Sequence, residues 1–383
     1  MSATSESLPT SPEQTTSDGR VAEHGAAGRS ALVVGATGIG GSALVDLLTA
    51  EGWPVAALSR RPGPERPGVR ALSADLRSAD DLARVLADER PTHVFFTAWS
   101  RQETEEQNIA VNGGMVRDLL AALSHAPLEH VALVTGLKHY LGPFEFYGQG
   151  AMPDTPFHEE EARLDAPNFY YAQEDELFAA AERQGFGWSV HRSHTVIGHA
   201  VGNAMNMGST LAAYAAICRE LELPFIFPGS LTQWNGLTDM TDATILAEQM
   251  VWAATSEAGR DEAFNVVNGD VFRWRWMWAR VAEYFGLEPV GPGEVPQPLE
   301  ERMRAVDAPA VWKRIAEKHG LVEPDLDRIA SWWHTDADLG REIEVVTDVG
   351  KSRLAGFTAY HRTVDSFTAL FDRYRADRLI PGA

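Results

Sequence analysis

The chain has 383 residues, 44% of them hydrophobic, 23% charged and 9% aromatic, with a formal net charge of -21. That balance builds a large core, and the length suits one doubly wound α/β sheet with an extension rather than two independent units. The acidic charge excludes nucleic acid and anionic membrane as partners, because both repel such a surface, and a single cysteine, Cys218, excludes an internal disulfide and a thiolate metal cluster and fits the cytoplasm.

Residues 1–29 hold Ser, Thr, Glu, Pro and Gly without an apolar run, so they are expected to be a disordered tail rather than a signal or transit peptide. The run Ala31-Leu32-Val33-Val34 reads as a strand that breaks at Gly35. After Ala36-Thr37-Gly38-Ile39-Gly40-Gly41, the residues Leu44, Leu47 and Leu48 mark one face of a helix. Gly35, Gly38 and Gly41 are spaced as a turn whose backbone N–H groups meet a pyrophosphate at a helix N-terminus, with Thr37 and Ile39 inside the turn. Three glycines among 33 would mean little alone; the order strand, turn, helix gives them weight.

A second strand over 54–58 ends in Ser59-Arg60-Arg61, where a sheet that binds NAD carries an acid for the ribose hydroxyls. Two guanidiniums there suit a 2′-phosphate through bidentate, charge-assisted hydrogen bonds, so NADPH/NADP+ is the expected cofactor. The plainer alternative is a solvated pair of arginines ahead of Pro62. A third strand over 69–72 leads to Asp75 and Leu76, expected against the adenine. A fourth over 92–98 carries Thr97 and Ala98 to the carboxyl edge of the sheet, followed by Trp99 as either pocket wall or core.

A helix bearing Val111, Met115, Leu119, Leu120 and Leu123 precedes the strand 130–135, which runs into Gly136-Leu137-Lys138-His139-Tyr140-Leu141-Gly142-Pro143-Phe144. Thr135 and Gly136 thus leave a central strand toward the nicotinamide crevice. Asn168-Phe169-Tyr170-Tyr171 then opens another helix. Ordinary short-chain dehydrogenases carry a lysine four residues after the tyrosine; here Glu174 follows Tyr170 and Asp175 follows Tyr171. An anion close to a phenol favours its neutral, hydrogen-bond-donating form.

These motifs, together with Trp188-Ser189-Val190-His191-Arg192, Tyr214-Ala215-Ala216-Ile217-Cys218, the run 262–272 and Trp332-Trp333, resemble the progesterone 5β-reductase and iridoid synthase family over nearly the whole folded chain. The resemblance implies an atypical short-chain reductase that uses NADPH for 1,4-reduction of enones, with Lys138 and a tyrosine as catalytic pair. The doublet leaves Tyr170 and Tyr171 as candidates, Tyr170 holding the usual position. One departure stands out: where the family has Arg-Pro-Gly-Asn, this chain has Arg192-Ser193-His194-Thr195, with Thr195 and Val196 expected beside the cofactor.

Hydride arriving at the β-carbon of an enone pushes charge onto the carbonyl oxygen, and an ammonium and a phenol are suitable donors to that enolate. Trp99, Tyr140, Leu141, Phe144, Tyr147 and Met205 are the expected walls of an apolar pocket for a small hydrophobic enone or enal. The expected organisation is a nucleotide-binding unit over 30–195, with returns near 235–270, and a mostly helical substrate lobe over 196–234 and 271–383; a homodimer is compatible with it. His139, His191 and His194 lack metal spacing, and no metal is expected. Rival readings are a carbonyl reductase, an extended short-chain sugar-nucleotide epimerase or dehydratase, and a non-catalytic NADP sensor.

Overall fold

The computed structural model describes residues 28–63, 65–143, 154–203, 205–295 and 297–382. The tail expected over 1–29 lies almost wholly outside them; Arg29 itself stacks its guanidinium 5.5 Å from the Trp53 ring centroid. The strands are β1 (Ala31–Val34), β2 (Val55–Ser59), β3 (Val69–Ser73), β4 (His93–Phe96), β5 (His130–Gly136), β6 (Gly187–Ser193), β7 (Val196–Ile197), β8 (Phe225–Ile226), β9 (Thr241–Asp242), β10 (Glu262–Val266) and β11 (Pro289–Val290). The helices of the first half are α1 (Ile39–Ala50), α2 (Ala79–Leu86), α3 (Glu105–Ala122), α4 (Lys138–Leu141) and α5 (Phe169–Gln184). Those of the second are α6 (Met207–Glu220), α7 (Leu231–Asn235), α8 (Ala243–Thr255), α9 (Trp274–Phe285), α10 (Leu299–Ala305), α11 (Ala308–His319), α12 (Trp332–Leu339), α13 (Gly350–Leu354) and α14 (Thr363–Ala376).

Seven parallel strands form the central sheet in the order β3-β2-β1-β4-β5-β6-β10. The near-continuous apolar runs in the sequence follow from burial on both faces. Leu32 and Val34 of β1 pack with Leu82, Leu119 and Leu177 of α2, α3 and α5, while Ala31 and Val33 pack with Leu44, Leu48 and Met250 of α1 and α8. The chain reverses its winding between β1 and β4, so a crevice opens beyond their carboxyl ends, where ligands bind in such sheets. Within the return expected near 235–270 lies β10, the sheet's far edge beside β6.

A third core gathers α6, α9, α11 and α14 around Leu211, Tyr214, Trp278, Trp312 and Phe371. The aromatic stripe of α9 is core, as its helical spacing predicts: Trp274, Met277, Trp278, Val281 and Phe285 are buried, and Trp276 on the opposite face is 44% exposed. Trp278 stacks on Phe225 at 4.1 Å and its indole N–H donates to the Phe225 carbonyl at 3.0 Å. Among the described residues no helix is long and apolar enough to cross a membrane.

Candidate active site

The turn between β1 and α1 is closed by the Gly35 and Ala36 N–H groups donating to the Leu58 carbonyl at 2.9 and 3.2 Å. Gly35 adopts φ +84, and a Cβ on it would lie 2.9 Å from the Thr97 hydroxyl. A Cβ on Gly41 would lie 2.1 Å from the Gly35 carbonyl oxygen, so Gly41 is required for helix-on-strand packing. It does not line the cavities at this turn. Gly38 caps α1 without a side chain, leaving the first N–H groups of the helix for an anion.

Two cavities meet at this turn. One of about 350 Å³ runs past Gly35, Thr37, Ser59, Arg60, Asp75 and Leu76. The other, about 220 Å³, contains Ile39, Thr135, Gly136, Lys138, Tyr170, Thr195 and Val196 in its wall. They share Gly38, Thr97, Ala98, Trp99, Asn203 and Met205, so a continuous groove joins the end of β2 to the end of β5, as an extended dinucleotide requires. Arg61 lines a third depression beside Arg60. Asp75 is already held by Arg77 through Nε at 3.0 Å and Nη2 at 2.7 Å, and that ion pair lowers its carboxyl to about 2, so an adenine amine would share an occupied carboxylate. The buried Thr135 hydroxyl has no hydrogen-bond partner among the described residues, a donor and acceptor that a bound ligand would satisfy. The groove, the glycine turn and this hydroxyl fit a nicotinamide dinucleotide.

Lys138 and Tyr170 come from different elements and line the same cavity. Lys138 begins α4, a single turn that ends at Gly142 with φ +73. Its buried ammonium lies 4.9 Å from the Phe169 ring centroid, and the Tyr170 ring lies 4.3 Å from the same ring. A Cβ on Gly136 would sit 3.3 Å from the Tyr170 hydroxyl, so glycine at the end of β5 makes room for the phenol. Asn168 joins the two elements: its Oδ1 accepts from the Tyr170 N–H at 3.0 Å while its amide donates to the Lys138 carbonyl at 2.8 Å.

Tyr171 does not enter the cavity. Its hydroxyl donates to the His139 carbonyl at 2.7 Å and accepts from the Leu164 N–H at 3.0 Å, and successive residues on a helix point about 100° apart, which turns it behind α4. Glu174 is 2% exposed and bound by Arg163, its Oε2 accepting from Nη2 at 2.7 Å. Burial raises its carboxyl above the ordinary range, and the guanidiniums of Arg192 and Arg163 oppose that rise.

The substrate walls divide. Trp99, Leu141 and Met205 line the cavity, whereas Tyr140 faces the interior, donating to Asn265 Oδ1 at 2.6 Å and stacking on Phe157 at 5.0 Å. Burial pushes the Tyr140 phenol up to about 12. Phe144 and Tyr147 lie outside the described residues. The expected apolar wall is corrected on its far side, where His194, His334, Asp338 and Arg341 line the cavity. His194 Nδ1 lies 2.8 Å from Asp239 Oδ1 and its Nε2 3.0 Å from Arg341 Nη1; Arg341 Nη2 donates to Asp338 Oδ1 at 2.6 Å, and the Thr195 hydroxyl donates to Asp338 Oδ2 at 2.8 Å. The Ser193-His194-Thr195 departure is therefore the near half of a polar network whose far half is α12 and the residues after it. The sequence signal for that half was a His and an Asp four apart, which share a helix face without saying what the face meets. Among the described residues no group of three or more His, Cys, Asp or Glu could hold a metal ion.

A parallel, doubly wound sheet with a glycine turn and a polar cluster beyond β5 defines a Rossmann-type chain of extended short-chain architecture. Residues 71–381 match the PRISE-like Rossmann-fold domain, and the chain belongs to that family. The (S)-8-oxocitronellyl enol synthase of Camptotheca acuminata is 38% identical over 366 residues, covering 92% of this chain and 93% of the relative. The 3-oxo-Delta(4,5)-steroid 5-beta-reductase of Arabidopsis thaliana is 37% identical over 365 residues, with the same shares covered, 92% and 93%. Among solved structures, the UDP-glucose 4-epimerase of Thermotoga maritima with UDP-glucose superposes with a TM-score of 0.65 at 14% identity, covering 91% of this chain and 99% of that one. The Thermus thermophilus UDP-glucose 4-epimerase complex with NAD gives a TM-score of 0.62 at 19% identity, covering 90% and 99%. These two share the fold.

Proposed function

We propose that the protein is an NADPH-dependent reductase of the carbon–carbon double bond of enones and enals, in which Tyr170 and Lys138 stabilise the enolate oxygen. The observation that carries the proposal is the convergence of Lys138 from α4 and Tyr170 from α5 on one cavity at the carboxyl end of β5. The names of the relatives, an enol synthase and a steroid 5β-reductase, support the same class of substrate.

Bound in the groove, the nicotinamide supplies hydride. Lys138 is buried against Phe169, so its charge acts on a substrate oxygen through a poorly screening medium, and the Tyr170 phenol donates a hydrogen bond to the same oxygen. Neither residue has to give up its proton while charge builds on oxygen, which suits enolate formation better than delivery of a proton to an alkoxide. The α-carbon then takes a proton from solvent. An epimerase of this fold would need a lysine four residues after Tyr170, and Glu174 stands there neutralised by Arg163. NADPH is favoured over NADH because Arg60 and Arg61 form no ion pair among the described residues and flank the position of the ribose.

Tyr170→Phe and Lys138→Met should each lower kcat for NADPH oxidation with 2-cyclohexenone by on the order of a hundredfold or more, with cyclohexanone as the wild-type product. Allylic alcohol as product would mean a carbonyl reductase, and near-wild-type turnover in both variants would remove the mechanism.

A further inference from the structure

The adenosine end of the groove opens sideways into a cavity of about 880 Å³ whose wall carries five arginines, Arg60, Arg61, Arg66, Arg328 and Arg373. In a chain of net charge -21 such a concentration needs a cause. The two spaces share Thr37, Ser59, Arg60, Val201 and Gly202, so their junction lies at the end of β2, where the 2′ position of an adenosine ribose would be. The five arginines are not equivalent there. Arg66 and Arg373 share Asp46, at 2.7 and 3.1 Å, and Arg328 pairs with Glu323.

Arg328 differs in its place, against Gly202, which lines both spaces. It closes the turn Leu326–Arg328, between the buried Leu326 and Ile329 of the helical lobe, so its backbone is fixed by that core. Its carbonyl accepts from the Gly202 N–H at 2.7 Å, and its guanidinium covers Gly202: Nη1 and Nη2 would lie 3.4 and 3.6 Å from a Cβ on that residue. Gly202 adopts φ +74, so a side chain there would be strained as well as crowded. Arg328 Nε donates to Glu323 at 2.5 Å, and the terminal nitrogens lie against Gly202, shared by both spaces.

We infer that Arg328 is a third cation of the 2′-phosphate site, supplied by the helical lobe across from Arg60 and Arg61. The inference rests on the NADPH reading above. A 2′-phosphate carries nearly two negative charges at neutral pH and three acceptor oxygens, each able to accept more than one hydrogen bond, so a third guanidinium adds donors and positive charge to the two exposed ones. Arg328 makes cofactor choice depend on both lobes, and it is a binding residue outside the β2 end where such arginines are usually sought.

The test is equilibrium binding by calorimetry on the full chain, with NADPH, NADH, 2′,5′-ADP and 5′-AMP as ligands. Arg328→Ala should weaken NADPH and 2′,5′-ADP about tenfold, while NADH and 5′-AMP stay within about twofold of wild type. Arg328→Gln, which retains a donor toward Glu323, should give the same pattern and serves if the alanine variant does not fold. Unchanged NADPH binding, or equal weakening of NADH, overturns the inference while the NADPH reading stands. Equal affinity of the wild type for NADPH and NADH overturns both, and is read before any variant is made.

Discussion

Tyr170 and Tyr171 are adjacent and do different work. The Tyr171 phenol is buried, and burial raises it above its ordinary value; it satisfies one backbone carbonyl and one backbone N–H. Removing that hydroxyl strands both, a cost of about 1–3 kcal/mol in a buried setting. Tyr171→Phe should therefore lower the urea midpoint of unfolding while kcat falls far less than in Tyr170→Phe, and a larger kcat loss in Tyr171→Phe would reverse the assignment. The sequence held both tyrosines as candidates because nothing in a doublet states the rotation of its helix. Lys138 and the glycine turn were legible because strand, turn and helix fix where they emerge. Tyr140 was misread because a polar aromatic next to a lysine in the cavity wall can as easily close a buried network, here with Asn265 and Arg192, as face a ligand.

At the scale of elements, the place where Lys138 and Tyr170 meet depends on how α4 sits against the start of α5, a contact tied by Asn168 on the Lys138 carbonyl and by Tyr171 on the His139 carbonyl. Asn168 is 3% exposed, caps α5 through Oδ1 and holds the Lys138 carbonyl through its amide. Asn168→Ser retains the capping oxygen but is too short and lacks the amide, so the cap survives and the tie to α4 is lost. The expected outcome is a melting temperature close to wild type with kcat lowered about tenfold and KM for NADPH little changed; an unchanged kcat would show that α4 is held by other contacts. The strands β1, β2, β4 and β5 were readable because their apolar runs record burial. The α12 wall was not, because His334 and Asp338 acquire meaning only when a lobe distant in sequence folds over β6, a non-local packing event that local pattern does not encode.

For the whole molecule, the response to acid follows from imidazoles sealed under the sheet. His130 Nε2 lies 2.9 Å from the Ser189 hydroxyl, which lies 2.9 Å from His191 Nε2, and His191 Nδ1 lies 2.8 Å from Gln249 Oε1. Burial lowers His130 to about 3 and His191 to about 4, and it lowers His139, in α4, to about 4. In the unfolded chain each takes a proton near 6.5. Between about pH 6.5 and pH 4 the unfolded state therefore binds more protons than the fold, and stability drops as pH falls, by up to about 1.4 kcal/mol per pH unit for each histidine. Glu159 and Glu174, raised mainly by burial, act in the opposite direction: protonation relieves their burial in the fold and offsets part of the loss. Burial also lowers His93, His199 and His334, while Glu51, Asp336 and His361 join the raised groups; the lowered imidazoles outnumber the raised groups, so the urea midpoint should fall from pH 7 to pH 5. His130→Gln removes one titrating group while retaining a polar partner for Ser189, and should flatten that slope even where it lowers stability at pH 7. A wild-type midpoint independent of pH over this range, or a variant slope as steep as wild type, would mean that these imidazoles already carry protons in the fold.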